Sequence, residues 1–219
     1  MSILIEAAVE SLEDARAAVA GGAHRLELCA SLDAGGITPD RALIASVLAH
    51  VQVPVVVMIR PRPGGYVYSR AELDRMRRDV ALAVVLGAAG VVLGALNERA
   101  HIDVSATREL MGAAHGLPVT FHRAIDETRD VIASLDALVS LGVARVLSSG
   151  AAATAMEGVE TLAAMVERAG RTPSVVAGGG VRWHNVVELV RRSGVHEVHA
   201  RCAGDSARIK AISDALAGA

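Results

Sequence analysis

The sequence predicts a single parallel (β/α)8 barrel, the TIM-barrel fold. Short apolar segments alternate with amphipathic stretches along the whole chain, a pattern that favours βα units and a parallel sheet. We count eight of each in 219 residues, roughly 27 residues per unit, which is enough for a strand, a helix and two short loops. No segment has the composition of a linker, so we expect residues 1–219 to form one domain.

Local signals support each element in turn. Glycines that stop helices precede several strands, and side chains suited to N-caps precede several helices. The glycines are Gly21, Gly22, Gly87, Gly142 and Gly194, and the N-caps are Ser69, Asp103 and Asp205. The predicted strands are Ile3 to Val9, Arg25 to Cys29, Val55 to Arg60, Gly90 to Gly94, Val119 to Arg123, Arg145 to Ser149, Ser174 to Gly178 and Val195 to His199. The predicted helices begin near Ser11, Pro39, Ser69, Asp103, Arg129, Thr154, Trp183 and Asp205. Eight successive units favour closure, although an open doubly wound sheet uses the same alternation.

Composition and charge narrow the class of function. The 22 basic and 24 acidic residues are interspersed and leave a net charge of −2, so we expect no nucleic-acid partner and no anionic membrane surface. The first ten residues contain no basic leader, and no apolar run approaches the roughly 18 residues that span a bilayer. We therefore expect a soluble cytoplasmic protein. Its two cysteines form neither a disulfide framework nor a CxxC metal site.

The alternation within the strands predicts which charged side chains point into the barrel. Helices cover the outside of such a barrel, so one parity of each strand is apolar and the other points inward. In the second strand Leu26 and Leu28 face the helices. The alternate residues, Arg25, Glu27 and Cys29, therefore point inward. The inward charged set is Glu6, Arg25, Glu27, Arg60, His122, Glu197 and His199. Most of them lie near the C-terminal ends of strands, the face where this fold binds ligands.

These residue types suit acid–base chemistry on a small anionic ligand. Glu6 or Glu27 would serve as acid or base, His122 and His199 as proton carriers, and Arg60 and Arg123 as anion clamps. Asp126 completes an H-R-x-x-D string with His122 and Arg123. After the seventh strand, Gly179 and Gly180 offer backbone N–H groups for a phosphate, with Arg182 and the Ser149 hydroxyl on the same rim. The alternative is a structural network of internal ion pairs, and glycines that serve only a tight turn.

Several ordered strings give the chain a family resemblance. They are A-G-G-A-H-R-L-E-L-C-A-S-L (Ala20 to Leu32), G-G-I-T-P (Gly35 to Pro39), V-M-I-R-P-R (Val57 to Arg62), V-T-F-H-R-A-I-D (Val119 to Asp126), L-S-S-G (Leu147 to Gly150) and A-G-G-G-V-R (Ala177 to Arg182). With these strings the sequence resembles the CutC family, described as copper homeostasis proteins with a TIM-barrel fold. The resemblance covers nearly the whole chain.

The resemblance implies a cytoplasmic homo-oligomer, a dimer or tetramer, linked to copper tolerance. It also implies Cu(I) ligation through cysteines near the first and second strands. Here Ala8 stands where family members commonly have the first cysteine, which leaves Cys29 as the metal ligand of that pair. Three hypotheses follow: Cu(I) binding through Cys29 with His122 or His199, an enzyme acting on a small anionic or phosphorylated metabolite, and a scaffold whose internal ion pairs are structural.

Overall fold

Eight parallel strands close into a barrel in the computed structural model, which describes residues 3–202 and 204–219. The strands are β1 (Leu4–Val9), β2 (Arg25–Leu28), β3 (Val55–Met58), β4 (Gly90–Leu93), β5 (Val119–Phe121), β6 (Arg145–Ser148), β7 (Ser174–Gly178) and β8 (Glu197–Arg201). The helices that follow them are α1 (Leu12–Ala20), α2 (Arg41–His50), α3 (Arg70–Leu86), α4 (Val104–Ala113), α5 (Val131–Leu141), α6 (Val159–Ala169), α7 (Val186–Ser193) and α8 (Ser206–Ala217). Each strand pairs with the next in parallel, and β1 also pairs with β8, which closes the sheet. The predicted (β/α)8 barrel is confirmed.

The predicted N-caps begin their helices. The Ser69 hydroxyl accepts the Glu72 N–H while the Glu72 carboxylate accepts the Ser69 N–H, a reciprocal capping box at the start of α3. Asp103 and Asp205 likewise accept backbone N–H groups in the first turns of α4 and α8. At its other end α3 stops at Gly87, whose φ of 85° lies in the left-handed region that glycine adopts without strain.

The two faces of the strands have different environments, as the parity of the sequence predicts. Outward side chains join one large apolar cluster between sheet and helices, where full burial contributes about 1.5–3 kcal/mol per large side chain. Members from five different strands are Ile5, Leu26, Val57, Phe121 and Val198. A smaller apolar cluster formed by inward side chains contains Cys29, Val56, Met58 and Val92. The charged inward set lies around this second cluster.

Several strands end one or two residues before their predicted ends, and three elements differ in other ways: β8, α6 and α7. Strand β8 is displaced by two residues, because its register with β1 runs from Leu4↔Glu197 to Ala8↔Arg201. Thr154 does cap a turn, in which it exchanges hydrogen bonds with Glu157, but the α-helix starts only at Val159. Helix α7 begins at Val186 rather than near Trp183.

The two long βα loops meet over the C-terminal end of the barrel. The loop after β2 forms an antiparallel bridge between Ala30 and Ile37. The next residue, Thr38, reaches the start of the loop after β3, where its hydroxyl accepts the Arg60 N–H at 2.9 Å and donates to the Arg60 carbonyl at 3.1 Å. The loops therefore form one rim. Among the residues described, no helix is long and apolar enough to cross a lipid bilayer.

Candidate functional site

A cavity of about 420 Å³ opens at the C-terminal ends of the strands. Nine of the twelve predicted site residues line it: Glu27, Arg60, His122, Arg123, Asp126, Gly179, Gly180, Arg182 and His199. The other three do not form its lining. Glu6 and Cys29 are fully buried close to the lining residues, and Ser149 is buried beneath the rim.

A buried ion network of Glu6, Arg25, Glu197 and His199 borders this cavity through His199. The Glu6 carboxylate, fully buried, accepts hydrogen bonds from Arg25 Nε and from His199 Nδ1, the latter at 2.8 Å. Arg25 also donates to Glu197 at 2.5 Å. Burial raises the pKa of Glu6, but His199 and Arg25 outweigh it and lower that pKa to about 2. Burial lowers the pKa of His199, whereas Glu27 and Glu6 raise it, and the net direction is upward. His199 therefore tends to remain protonated beside two carboxylates.

Glu27 has an unpartnered carboxylate oxygen and lies next to this ion network. Its Oε1 accepts a hydrogen bond from the Cys29 thiol at 3.4 Å, whereas its Oε2 is buried without a partner. Burial raises the pKa of Glu27, which favours a carboxyl group that can both accept and release a proton. The pKa of Cys29 lies well above its usual value because the thiol is buried and because Glu27 repels a thiolate.

His122 is a neutral imidazole with a free donor. Its Nδ1 accepts the backbone N–H of Ala124 at 3.2 Å, so the ring proton resides on Nε2. That Nε2 is buried and has no partner within the described structure. Burial lowers the pKa of His122, and the nearby Arg60 charge lowers it further, to about 3. Tyr66 covers the ring, with the two ring centroids 4.9 Å apart.

Arg60 is a buried cation bonded to carbonyl groups. Its Nη1 donates to the carbonyl oxygens of residues 34–36, and its Nη2 donates to Gly64 O at 2.6 Å, so it ties the two long loops together. Its side chain lies over Tyr66, 4.8 Å from the ring centroid. Only 5 % of the residue is exposed, its Nε has no partner, and no carboxylate in residues 3–202 or 204–219 forms a salt bridge with it.

Arg123 and Asp126 of the H-R-x-x-D string form a hydrogen-bond network with Ser148 and Ser149. Asp126 accepts hydrogen bonds from Arg123 Nε at 2.8 Å, from the Ser148 hydroxyl at 2.5 Å and from the Ser149 N–H. Arg123 Nη2 donates to the Ser149 hydroxyl at 2.7 Å. Asp126 thus joins the ends of β5 and β6 and orients Arg123, whose side chain remains 41 % exposed at the cavity.

The glycine turn after β7 lies on the side of the cavity opposite Arg60, which follows β3. Gly179 and Gly180 have φ of 106° and 73°, and a side chain on Gly179 would meet Ser149 and Arg123 within 3.4 Å. The Asn185 side chain fixes this turn by accepting the Arg182 N–H and donating to Gly180 O. Because α7 begins only at Val186, the turn rather than a helix N-terminus presents these N–H groups.

Tyr66 and Arg201 also line the cavity, although the sequence does not identify them as site residues. Nothing local in the sequence links Tyr66 to Arg60 or His122, which it meets only in the folded barrel. Arg201 binds Asp33 at 2.6 Å and Glu10 at 3.3 Å on the rim. Arg201 shares the parity of His199, so a longer β8 would have predicted it.

Comparison with known proteins decides the family. A family model described as the CutC family matches residues 3–204. The chain belongs to the CutC family. A Xanthomonas axonopodis pv. citri (strain 306) relative, named family protein CutC, is 46% identical over 200 residues, 91% of this chain and 83% of that protein. A Homo sapiens relative, named copper homeostasis protein cutC homolog, is 43% identical over 205 residues, 94% of this chain and 74% of that one.

One solved structure agrees with this assignment, and another shares the fold. A Streptococcus agalactiae structure described as a copper homeostasis protein CutC superposes with a TM-score of 0.86 at 36% identity, covering 90% of this CutC-family chain and 97% of that one. A phosphoribosylanthranilate isomerase from Thermotoga maritima superposes with a TM-score of 0.67 over 99% of this chain and 100% of that one. At 13% identity, the second likeness concerns the fold alone.

The donors around Cys29 do not form the pair of thiolates that Cu(I) prefers. Ala8, which pairs with Glu27 across β1 and β2, contributes only a methyl group to the cavity. The second cysteine, Cys202, belongs to the outer apolar cluster, with its Sγ near Asp14 O and Asp205 O. Met58 packs in the same inward cluster as Cys29, and its terminal methyl and the Cys29 Sγ both lie within 4 Å of the Cβ position of Gly36.

One further group of side chains has the spacing of a metal site. Ligand atoms of Glu6, Glu27 and His199 lie within 4.8 Å of one another. Glu6 already accepts hydrogen bonds from Arg25 and His199, and a protonated His199 is not a metal ligand. The arrangement therefore suits a proton-sharing network better than a cation.

Proposed function

We propose that this CutC-family protein is an enzyme that acts on a small anionic, phosphorylated or carboxylated metabolite bound in the barrel mouth. The observation that carries the proposal is Arg60. A buried guanidinium loses hydration worth several kcal/mol, and carbonyl dipoles replace that hydration only in part. An anionic ligand would supply the missing negative charge, and the unpartnered Arg60 Nε lies beside the cavity.

The rest of the lining supports a ligand of this class. A volume of about 420 Å³ lies within the usual range for small-molecule sites, about 300–1,000 Å³. Arg123 and Arg182 add positive charge on the side where Gly179 and Gly180 present backbone, and Glu27, His122 and His199 supply groups for proton transfer. In this arrangement Glu6 positions His199, and Asp126 and Ser149 position Arg123.

Anion binding can be measured before any substrate is known. Inorganic phosphate should stabilise the protein saturably against thermal unfolding, compared with sodium chloride at the same ionic strength. Arg60→Gln should weaken phosphate binding at least tenfold. Arg182→Gln should weaken it several-fold without loosening the loops, since within the described structure the Arg182 side chain donates only to Val181 O. Arg62→Gln is the matched control, because Arg62 belongs to the same loop but does not line the cavity.

Two results would contradict the proposal. One is the absence of any saturable phosphate effect on the natural protein. The other is an equal loss of binding in the Arg60 and Arg62 variants, which would indicate a general effect of surface charge.

The second candidate function is Cu(I) binding through Cys29, which the names of the relatives favour. The packing of Met58 in the same cluster as Cys29 is the observation in its support, because a thiolate and a thioether are both soft ligands. Anaerobic titration against a Cu(I) chelator should then show binding that falls sharply in Cys29→Ala and partly in Met58→Leu. Binding that persists in both variants would exclude this site.

We further propose, on the family resemblance, a cytoplasmic homo-oligomer, a dimer or tetramer. Light scattering coupled to size exclusion measures the mass, and a monomer at micromolar concentration would refute the proposal.

A further inference from the structure

In the described part of the chain, four buried polar atoms of lining residues lack partners: Glu27 Oε2, His122 Nε2, and the Nε atoms of Arg60 and Arg201. Glu27 Oε2 and His122 Nε2 have opposite hydrogen-bonding character. Glu27 Oε2 is an acceptor and His122 Nε2–H is a donor, and both residues are more than nine-tenths buried. An unpartnered buried polar atom costs about 1–3 kcal/mol. Such atoms persist where a ligand completes them.

The barrel places these two atoms on different sides of one ligand. Glu27 belongs to β2 and His122 directly follows β5, three strands further around a closed sheet of eight. Both residues line the same cavity, and Arg60, which follows β3, lies between them on the wall. A molecule that fills the cavity therefore meets the Glu27 residue on one side and His122, next to a fixed positive charge, on the other.

Neighbouring residues hold each group in the form that the pair requires. The Cys29 thiol donates to Glu27 Oε1, which leaves Oε2 as the free basic atom. The Ala124 N–H occupies His122 Nδ1, which fixes the proton on Nε2. Gly94 lies against the imidazole, where a Cβ would come within 2.6 Å of two ring atoms, so the ring has little freedom to turn.

We infer that Glu27 and His122 form a proton-abstraction pair for an anionic α-hydroxy carbonyl substrate, with Glu27 as the base and His122 as the donor to the carbonyl oxygen. The reaction class is isomerisation through an enediolate. This inference rests on the proposed function and adds a substrate class to it.

The step balances within the pair and the substrate. Glu27 Oε2 removes the proton from the carbon next to the carbonyl, and the C–H electron pair becomes the new C–C π bond. The carbonyl π pair moves onto oxygen, where the His122 Nε2–H and the Arg60 charge stabilise it. After proton exchange between the two oxygens of the enediolate, Glu27 returns the proton to the neighbouring carbon, which completes the isomerisation. No oxidant or reductant is involved.

The first test needs no substrate. Nitrogen-15 NMR of the imidazoles at pH 7 should show His122 neutral, with its proton on Nε2. A charged His122, or one with its proton on Nδ1, would overturn the inference.

The second test compares two probes that share a phosphate. Phosphoglycolohydroxamate imitates a planar enediolate, whereas glycerol 3-phosphate has tetrahedral carbons. We expect the natural protein to bind the hydroxamate at least 100-fold more tightly, and His122→Phe and Glu27→Gln to reduce that preference at least tenfold. Inorganic phosphate binding should change less than threefold in both variants, which also shows that they fold.

The outcomes separate the two proposals. The assignment of the Glu27–His122 pair is wrong, and the anion site stands, if phosphate binds but the protein does not prefer the hydroxamate over glycerol 3-phosphate. The same conclusion follows if the preference survives both substitutions. If phosphate does not bind the natural protein, the proposed function itself fails.

Discussion

Replacing Glu6 by Gln tests whether the charges inside the barrel hold it together. Glu6 accepts from Arg25 Nε and from His199 Nδ1, and it is fully buried. A glutamine has one carbonyl oxygen for these two donors, and its amide would face an N–H group. The pKa of Glu6 falls from 4.5 to about 2, a shift that corresponds to about 3 kcal/mol at 1.36 kcal/mol per unit. Breaking a buried ion pair costs about 3–5 kcal/mol, so we expect a loss of about 3 kcal/mol.

Urea unfolding at pH 7 measures this loss, with Asp136→Asn as the control. Asp136 pairs with Arg168 on the surface, where solvent screens both charges, so its removal should change stability little. A loss below about 1 kcal/mol for Glu6→Gln would refute the estimate, since isolated surface pairs already reach that value.

The same network predicts the direction of the pH dependence. Because the pKa of folded Glu6 is depressed, its contribution is present above pH 4.5 and is lost as the pH falls towards about 2. The pKa of folded His199 is raised, so its contribution is full below the unfolded value of 6.5 and is lost as the pH rises through the higher folded value. Glu6→Gln should flatten the acid limb of this profile.

Two further predictions concern packing and thiol reactivity. Gly94→Ala should destabilise the protein by about 1–3 kcal/mol in thermal melting and displace the His122 ring, because its Cβ would lie 2.6 Å from ring atoms. Gly112→Ala in α4 is the control, because its Cβ would meet nothing within 4 Å. This variant should be slightly more stable than the natural protein. Cys29 and Cys202 are buried with raised pKa values, so a colourimetric disulfide reagent at pH 7.5 should react slowly with the folded protein and with two thiols in urea. A rapidly reacting thiol in the folded protein would contradict the burial of these groups.

The sequence could predict the site because parity in a covered barrel is informative. Leu26 and Leu28 must face the helices, and this alone turns Glu27 and Cys29 inward. The same reasoning places Arg60 and His122 correctly, since each follows an apolar outward residue at a strand end.

Long-range contacts limited the remaining predictions. The ending of β8 depends on its pairing with β1, which continues to Ala8↔Arg201, two residues beyond His199. The position of Arg60 depends on carbonyl groups of residues 34–36 in another loop. Asp126 looked like a catalytic carboxylate in sequence, but its oxygens are occupied by Arg123 and the β6 loop, contacts that only the closed barrel brings together.

The two candidate functions make incompatible demands on a single sulfur atom. Cu(I) binding requires the Cys29 thiolate, whereas the donor that orients Glu27 is the Cys29 thiol, and burial with the adjacent Glu27 favours the thiol. A metal on this atom would remove the hydrogen bond to Glu27 Oε1 and bring a positive charge beside the proposed base. The Cys29→Ser substitution separates the two uses, because a hydroxyl retains a donor for Glu27 but lacks the soft ligand. Retained preference for the planar hydroxamate in Cys29→Ser, together with lost Cu(I) binding, would assign Cys29 to positioning Glu27.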